Sequence, residues 1–519
     1  MIKNSTFQTF TTKPLSVGLR LQTILLSLFV CGFGSVFVVT ALRGHLDINP
    51  MRIILLLALC VFFFLLQRRV FPHLDKLSRH SWNLLFYGGL TLLFVLQVCS
   101  GFLLLQDLTT SPFDTEAVLR TSTQLAQGII PAEYNDYFSC MDSNVFCMFV
   151  FYWLYRPVYL ITGSTAPHWA MLLNTVFLFV AAFAVCHTAK TLWGRRGGLS
   201  ALVVCLFFLP YYIFTSFVYT DTLAAPFVAC SIWVFTLLCK HWSAMKTAPR
   251  VLSVFGLGAL VGFGFLAKGN VMLLYPAFGL YLLVRYNVVQ LFRAHWKTVL
   301  CTLAAFLLGS GIAVNGFNAY KQTCGLLNYE LYESVHIPVS HWIMMGLEHN
   351  GAFHQESFQY TAQYPTIAEK KEAIAARIQS NLTHLLQSPK SLVWLMYTKA
   401  ETNWMHGLFT APVMANFSPV QRTWLSEWFV SDGAHLDVTE NFGQAFYWLI
   451  WGAAFWAAVR SIRQPTWRGA SLTLLCVICL LGNLAFLSLW ESNSRYAFCY
   501  SCCMLLPLCG ILACPKSDA

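Results

Sequence analysis

Residues 82–106 read WNLLFYGGLTLLFVLQVCSGFLLLQ, an apolar run without one charged side chain. A membrane-spanning helix needs about 20 such residues. Lipid offers the backbone no hydrogen-bond partner, so the run is predicted to be helical. Directly after it come Asp114, Glu116, Glu133, Asp136 and Asp142. Carboxylates gathered just beyond a span sit where the head group of a lipid-linked substrate would lie. That position suggests an enzyme working at the membrane surface.

Working outward, similar runs recur at 20–42, 51–67, 144–163, 167–189, 197–215, 219–239, 251–267, 270–285, 298–319, 443–459, 469–490 and 497–513. With 82–106 they make about thirteen segments. Only 11% of the 519 residues are charged, against roughly 25% in soluble domains. The alternation of outer-membrane strands, in units of about 10 residues, is absent. The predicted class is an all-α polytopic membrane protein of about 12–13 transmembrane helices with a helical extracytoplasmic loop segment. No cleavage site of the signal-peptide kind follows the basic N-terminus, so 20–42 is read as a retained first span.

The net charge of +11 does not point to nucleic acid, and no nucleic-acid partner is expected. Basic residues collect in turns: Arg68, Arg69, Lys76 and Arg79; Arg195 and Arg196; Lys240, Lys246 and Arg250; Arg285, Arg293 and Lys297; Arg460, Arg463 and Arg468. Such clusters mark cytoplasmic turns. Segment 107–143, the turns near 216–221, 268–270 and 491–496, and the long segment 320–442 then face outside. The chain divides into 1–81, an N-terminus with two extra spans; 82–319, a core with the acidic loop 107–143; 320–442, an extracytoplasmic part; and 443–519, the last spans. One conflict arises. Two apolar segments lie between the acidic loop and Arg195, where one crossing is required. Either 144–163 dips in and returns, or the Arg195–Arg196 turn lies outside. The first fits the other clusters.

Most of the 18 Cys, such as Cys60, Cys205, Cys476, Cys502 and Cys503, lie in apolar runs and act as small hydrophobes. Cys140, Cys147 and Cys324 fall in outer segments, but no spacing supports a disulfide. Within 320–442, Thr366 and Glu369 form a capping box. Ile374, Ile378, Leu382 and Leu385 then share one helical face. His336, His341, His349 and His354 are irregularly spaced. No metal or other cofactor is required by any motif, and a divalent ion has no support.

Four turns carry the candidate chemistry. Asp114 fits either a helix N-cap or a general base that takes the proton of an acceptor hydroxyl. Asp221, in Tyr219-Thr220-Asp221, has the same two readings. Lys268 either snorkels to head groups or contacts a phosphate. Arg495 either pairs with Glu491 one turn away or grips a phosphate with two donors. Together they supply what a lipid-phosphate sugar needs, cations for the departing phosphate and a carboxylate for the acceptor proton.

The order of these motifs resembles the GT-C superfamily of integral membrane glycosyltransferases. The branch most similar is that of protein O-mannosyltransferases and aminoarabinose transferases. Asp114 matches the acidic residue of the first outer loop. Tyr219-Thr220-Asp221-Thr222-Leu223 matches the second acidic turn, Lys268-Gly269 through Pro276 the Lys-Gly turn, and Arg495-Tyr496 the late arginine. Tyr134-Asn135-Asp136-Tyr137-Phe138 leading to Asn144, and His341-Trp342-Ile343-Met344-Met345-Gly346, resemble a Gram-positive group within that branch. The chain departs from the pattern where Thr115 separates Asp114 from Glu116, and in having two spans before residue 82.

The resemblance implies a GT-C-like bundle in a bacterial cell membrane with its active site outside. It implies an inverting transfer from a polyprenyl-phosphate sugar to an extracytoplasmic glycan, lipid or protein. Asp114, Glu116 and Asp221 would be catalytic. Lys268 and Arg495 would bind the donor phosphate. Tyr137, Asn144, His341 and Trp342 would contact substrate. A transporter or flippase of lipid-linked saccharides is the alternative. Such proteins more often place charges at the midplane, whereas here they sit at the ends of spans. A ligase or polymerase using a lipid-linked oligosaccharide shares the same chemistry.

Overall fold

The computed structural model describes residues 16–42, 48–74, 76–131, 133–286, 288–325 and 329–514. Every regular element among them is helical, and Gln106 and Pro419 form one isolated antiparallel bridge. The first helices are α1 (Ser16–Leu42), α2 (Pro50–Leu65) and α3 (Arg79–Leu103). The acidic loop carries α4 (Thr115–Gln127) and α5 (Glu133–Cys140), and α6 (Val145–Thr162) follows it. The core continues with α7 (Pro167–Phe207), α8 (Thr220–His241), α9 (Thr247–Ala267), α10 (Leu274–Arg285) and α11 (Val288–Thr323). The long segment holds α12 (Ser340–Gly346), α13 (Gln355–Ala362), α14 (Ile367–Gln387) and α15 (Pro389–Trp404). The chain ends in α16 (Leu436–Arg463), α17 (Ala470–Leu489) and α18 (Ser501–Ala513).

Among the described residues, eleven helices are long and apolar enough to cross a membrane. Their outer faces carry Leu28, Ile54, Leu84, Leu307 and Ile312, each more than half exposed. A face of that kind suits lipid, since acyl chains are as apolar as leucine.

Helix α7 is two arms. Gly194 has φ 65 and ψ −144 inside it, a left-handed conformation that glycine adopts at little cost. The Asn174 side chain, near the start of the first arm, donates to the carbonyls of Phe214, Thr215 and Phe217. The chain has therefore run out and come back. Twenty residues separate Gly194 from Asn174 and from Phe214 alike. At 1.5 Å per residue each arm is about 30 Å long, one hydrocarbon thickness. The break falls between the predicted spans 167–189 and 197–215.

Helix α6 has the length and apolarity of a span, yet both its ends lie at one end of the bundle. Asn144 at its start bonds Tyr219 at the head of α8. His168, just past its end, stacks on Phe102 at the tip of α3, with ring centroids 6.5 Å apart. In between, Phe146 meets Phe317 at 4.9 Å and Phe149 meets Tyr320 at 5.0 Å, both near the end of α11. It lies across the helix tips beside α4, where Ser122 bonds the Met148 carbonyl and Arg156 bonds the Ala126 carbonyl. The single crossing required before Arg195 is then the first arm of α7.

The basic turns collect at the opposite end. Arg195 donates to the Leu77 carbonyl at 2.7 Å, Lys240 to the Thr191 carbonyl, and Arg460 to the Cys514 carbonyl at 3.2 Å. Cys140 and Cys147 are free thiols, and Cys324 Sγ donates to the Lys321 carbonyl at 2.8 Å.

The glycines of 256–264 are read as packing residues, and the α9–α11 pair bears this out at two of them. A Cβ on Gly258 would lie 2.0 Å from the Phe306 carbonyl oxygen of α11, and one on Gly262 2.9 Å from that of Ser310. Gly256 has nothing within 4 Å. Gly258→Ala is therefore expected to destabilise the α9–α11 pair by about 1–3 kcal/mol, while Gly256→Ala is neutral. Thermal unfolding in detergent reads this, and equal midpoints for the two variants would refute the contact.

Candidate active site

The acidic turns and the late arginine meet at the end of the bundle away from the basic turns. Asp221 stands in the first turn of α8, with 0% of its surface exposed. It does not cap the helix. The Tyr219 backbone N–H goes instead to Thr222 Oγ1 at 3.4 Å. One Asp221 oxygen lies 2.7 Å from Lys268 Nζ and the other 2.9 Å from Arg495 Nη1. Burying one ion is expensive in a low dielectric, and a carboxylate between two cations is the arrangement that offsets it.

Each cation is fixed by its turn. Lys268 ends α9 in an extended conformation before a short 3-10 turn, Gly269–Leu273. The Asn270 side chain ties that turn to the Tyr496 carbonyl at 3.0 Å, and Tyr500 donates to the Asn270 carbonyl at 3.0 Å. Lys268 Nζ sits 4.2 Å from the centre of the Tyr496 ring. Arg495 opens the 3-10 segment Ser494–Tyr500, and its backbone N–H is capped by the Asn493 side chain at 3.3 Å. Its guanidinium lies over Phe113 at 4.7 Å and over Tyr219 at 5.5 Å, contacts that hold a desolvated cation on aromatic faces. Arg495 Nε is buried with no hydrogen-bond partner. Snorkelling is thus not the role of Lys268, and Arg495 turns to Asp221 rather than to Glu491.

Asp114 sits beside this cluster. It occupies the N-cap position of α4, but its side chain makes no capping bond. Its carboxylate accepts the Tyr219 hydroxyl at 3.0 Å. Tyr219 also reaches Asn144 Oδ1 at 3.2 Å, and Asn144 donates to the Tyr137 hydroxyl at 2.7 Å. Burial, then the nearby Asp114 charge, push the Tyr137 hydroxyl well above its ordinary range. It stays protonated beside Asp114. Asp114, Tyr137, Asn144 and Tyr219 are one network, and Tyr219 carries it to Arg495.

Other expected site residues lie elsewhere. Glu116 is paired with Arg120 at 2.6 Å along α4, as i,i+4 charges on a helix are placed to do. His341 is 0% exposed and bonds Thr361 Oγ1 at 2.7 Å. It is packed inside the long segment and is closed to a substrate in this conformation. Trp342 joins the site by its backbone, its carbonyl accepting the Glu491 N–H at 3.1 Å. The side chains of Glu133, Tyr134 and Asn135 lie outside the described residues, as does the N-terminus before residue 16. No three His, Cys, Asp or Glu side chains among the described residues converge in a metal-holding arrangement.

Lys399 was not singled out by sequence. It is 1% exposed and clamps the carbonyls of Gly346 and Trp490 at 2.7 and 2.6 Å. Burial pulls its ammonium down to about 8, against the pull of Glu491. The signal available was a lysine between the apolar run Leu392–Met396 of α15 and its end at Trp404. Tyr219, Phe113 and Asn270 were also missed as site residues, although each adjoins or lies two positions from one that was named.

Burial holds the His341 imidazole down at about 4, from an ordinary 6.5. Its contribution is full above pH 6.5, where both states are neutral. As pH falls toward 4 the unfolded chain takes up a proton that the folded one refuses, and stability is lost over that window. The loss is at most about 3 kcal/mol. Hydrogen exchange in α12 and α13 is expected to speed up between pH 6.5 and 4, and less so in His341→Gln. Equal acid sensitivity in the two proteins would remove His341 as the cause.

A family model described as "Conserved hypothetical integral membrane protein" matches residues 24–515. No curated protein matches the chain. Two solved structures are similar in outline. One is the archaeal oligosaccharyltransferase AglB from Archaeoglobus fulgidus, in complex with an inhibitory peptide and a dolichol-phosphate. It is 11% identical, with a TM-score of 0.43 over 84% of this chain and 50% of that one. The chain thus spans about half the length of that enzyme. The other is ArnT from Cupriavidus metallidurans bound to undecaprenyl phosphate, 14% identical, with a TM-score of 0.34 over 84% of this chain and 78% of that one. Likenesses this loose extend to neither chemistry nor substrate.

Proposed function

The chain belongs to that family of conserved integral membrane proteins, and we propose that it is a GT-C-type glycosyltransferase acting on a polyprenyl-phosphate-linked sugar. The observation that carries this reading is the buried Asp221 carboxylate holding Lys268 and Arg495 beside the Asp114–Tyr219 pair. Both cations face Asp221 at the end of an apolar bundle, with the buried Glu491 close by on Tyr496. Arg495 Nε is an unused donor there, and a phosphate monoester or diester is the anion such a fork fits.

In the reaction Asp114 takes the proton of the acceptor hydroxyl. The acceptor oxygen attacks the anomeric carbon from the face opposite the phosphate. The bond from that carbon to the phosphate oxygen breaks, and the bonding pair leaves with the polyprenyl phosphate. Lys268 and Arg495 stabilise the charge that grows on it. Asp221, enclosed and with both oxygens engaged, is assigned to positioning these cations and not to proton transfer. The gathering of basic turns at the far end supports a site on the extracytoplasmic side, and a bacterial plasma membrane follows from the motif resemblance.

The test is direct transfer. Purified protein in detergent receives radiolabelled polyprenyl-phosphate hexoses and a cell-envelope extract. Label is expected to move from lipid to acceptor. A donor that stays intact with every acceptor, yet crosses reconstituted vesicles, would make the protein a flippase.

A further inference from the structure

We propose that the cavity between α14 and α15 is an acceptor subsite that takes an anionic saccharide. This rests on the transferase reading for the word acceptor. The cavity itself is separate from the enclosed Asp221 centre. Its volume is 660 Å³, and Glu348, Arg377, Asn381, His384, Lys390 and Trp394 are among its lining residues. Cavities of about 300–1,000 Å³ hold small organic ligands, so a unit of about one to three sugars fits this one.

The lining chooses the ligand's chemistry. Glu348 is 5% exposed and its oxygens are used up. Ser357 donates to one at 2.5 Å, while Arg377 and Asn381 donate to the other, Asn381 at 3.1 Å. Burial raises this carboxyl, but those donors outweigh it and hold the group below its ordinary range. It is a fixed internal counter-ion for Arg377. Lys390 and His384 are exposed, and with Arg377 balanced by Glu348 the Lys390 ammonium leaves the wall positive. A sugar bearing a carboxylate or phosphodiester meets that charge. Trp394 is 47% exposed, and its indole offers a flat apolar face for the C–H side of a pyranose.

The cavity is also well placed. Leu347 and Glu348 directly follow Gly346, whose carbonyl shares Lys399 with that of Trp490. A Cβ on Gly346 would lie 2.2 Å from the Leu489 carbonyl oxygen, so the two backbones touch. Trp490 is five positions before Arg495, which limits that distance to about 18 Å. A saccharide several units long, anchored in the cavity by one of them, can extend along this segment toward the reacting centre.

The experiment uses the full protein in zwitterionic nanodiscs, with hyaluronan tetrasaccharide, maltotetraose and sodium phosphate as probes. Saturable binding of the hyaluronan tetrasaccharide is expected. It should weaken about tenfold or more in Lys390→Gln/Trp394→Ala, as truncating a charged or aromatic anchor does. Both changes are at exposed positions and spare the Glu348–Arg377 pair. Maltotetraose should bind about tenfold more weakly than the anionic probe. Absence of saturation, or equal affinity in the double variant, overturns the proposal. Displacement by phosphate at the same concentration reduces it to an anion site and also overturns it. Asp114→Asn protein should bind as wild type does. Binding that persists while no donor is ever transferred sinks the transferase reading alone. Transfer without cavity-dependent binding sinks the subsite alone.

Discussion

Asp221→Asn is expected to lower the stability of the folded protein by about 3–5 kcal/mol, the range found when one partner of a buried ion pair is removed. The amide has the carboxylate's shape and can still accept a bond, so packing is preserved. What it lacks is charge. Lys268 and Arg495 have side chains 14% and 5% exposed, and without Asp221 two cations face each other in a poorly hydrated place. The aromatic faces of Phe113, Tyr219 and Tyr496 offset only part of this, at about 1–2 kcal/mol for a desolvated cation. The double variant Asp221→Asn/Lys268→Met restores the balance of one charge and should recover a good part of the loss. Thermal melting of the detergent-solubilised proteins compares the three. A single variant that melts with wild type would mean that the cluster is hydrated and that Asp221 is not its keystone. Transfer should be lost in both variants, since each removes the ordered cation pair.

The sequence carried the spans because lipid leaves the backbone one solution, and runs such as 82–106 announce it. It also carried Asp221, Lys268 and Arg495, since a charge at the tip of an apolar helix is conspicuous. Their mutual contact was not legible. Asp221 and Arg495 are 274 positions apart, and no local pattern encodes which tips converge. Local pattern left Asp114 open between a cap and a base. The structure gives the cap position but no capping bond, because Tyr219 offers its carboxylate a hydroxyl donor. Helix α6 is the same lesson on a larger scale. Hydropathy makes it a span, and only the charge bias of Arg195 and Arg196 argued that it returns. Lys399 escaped notice because a buried lysine is defined by the two carbonyls it clamps, and both belong to distant turns.

Asp114→Asn separates chemistry from structure most cleanly. The side chain is half-buried at the edge of the cluster, and an amide oxygen can keep the 3.0 Å bond from Tyr219. The melting temperature should therefore stay close to that of wild type. A general base contributes about 10²- to 10⁴-fold, so transfer should fall by that factor. The loss should appear in kcat, because the donor phosphate is held by other residues. Glu116→Gln, which removes a carboxylate paired at the surface with Arg120, is the matched control and should transfer normally. Tyr219→Phe tests the connection between them. It deprives Asp114 of a donor and Asn144 of its tie, so the carboxylate becomes less ordered. The change in rate should then be small beside that of Asp114→Asn. If Glu116→Gln proves the inactive variant and Asp114→Asn transfers within about threefold of wild type, a factor far below that of a general base, the base has been misassigned. The α4 helix would then have to turn to bring Glu116 to the acceptor.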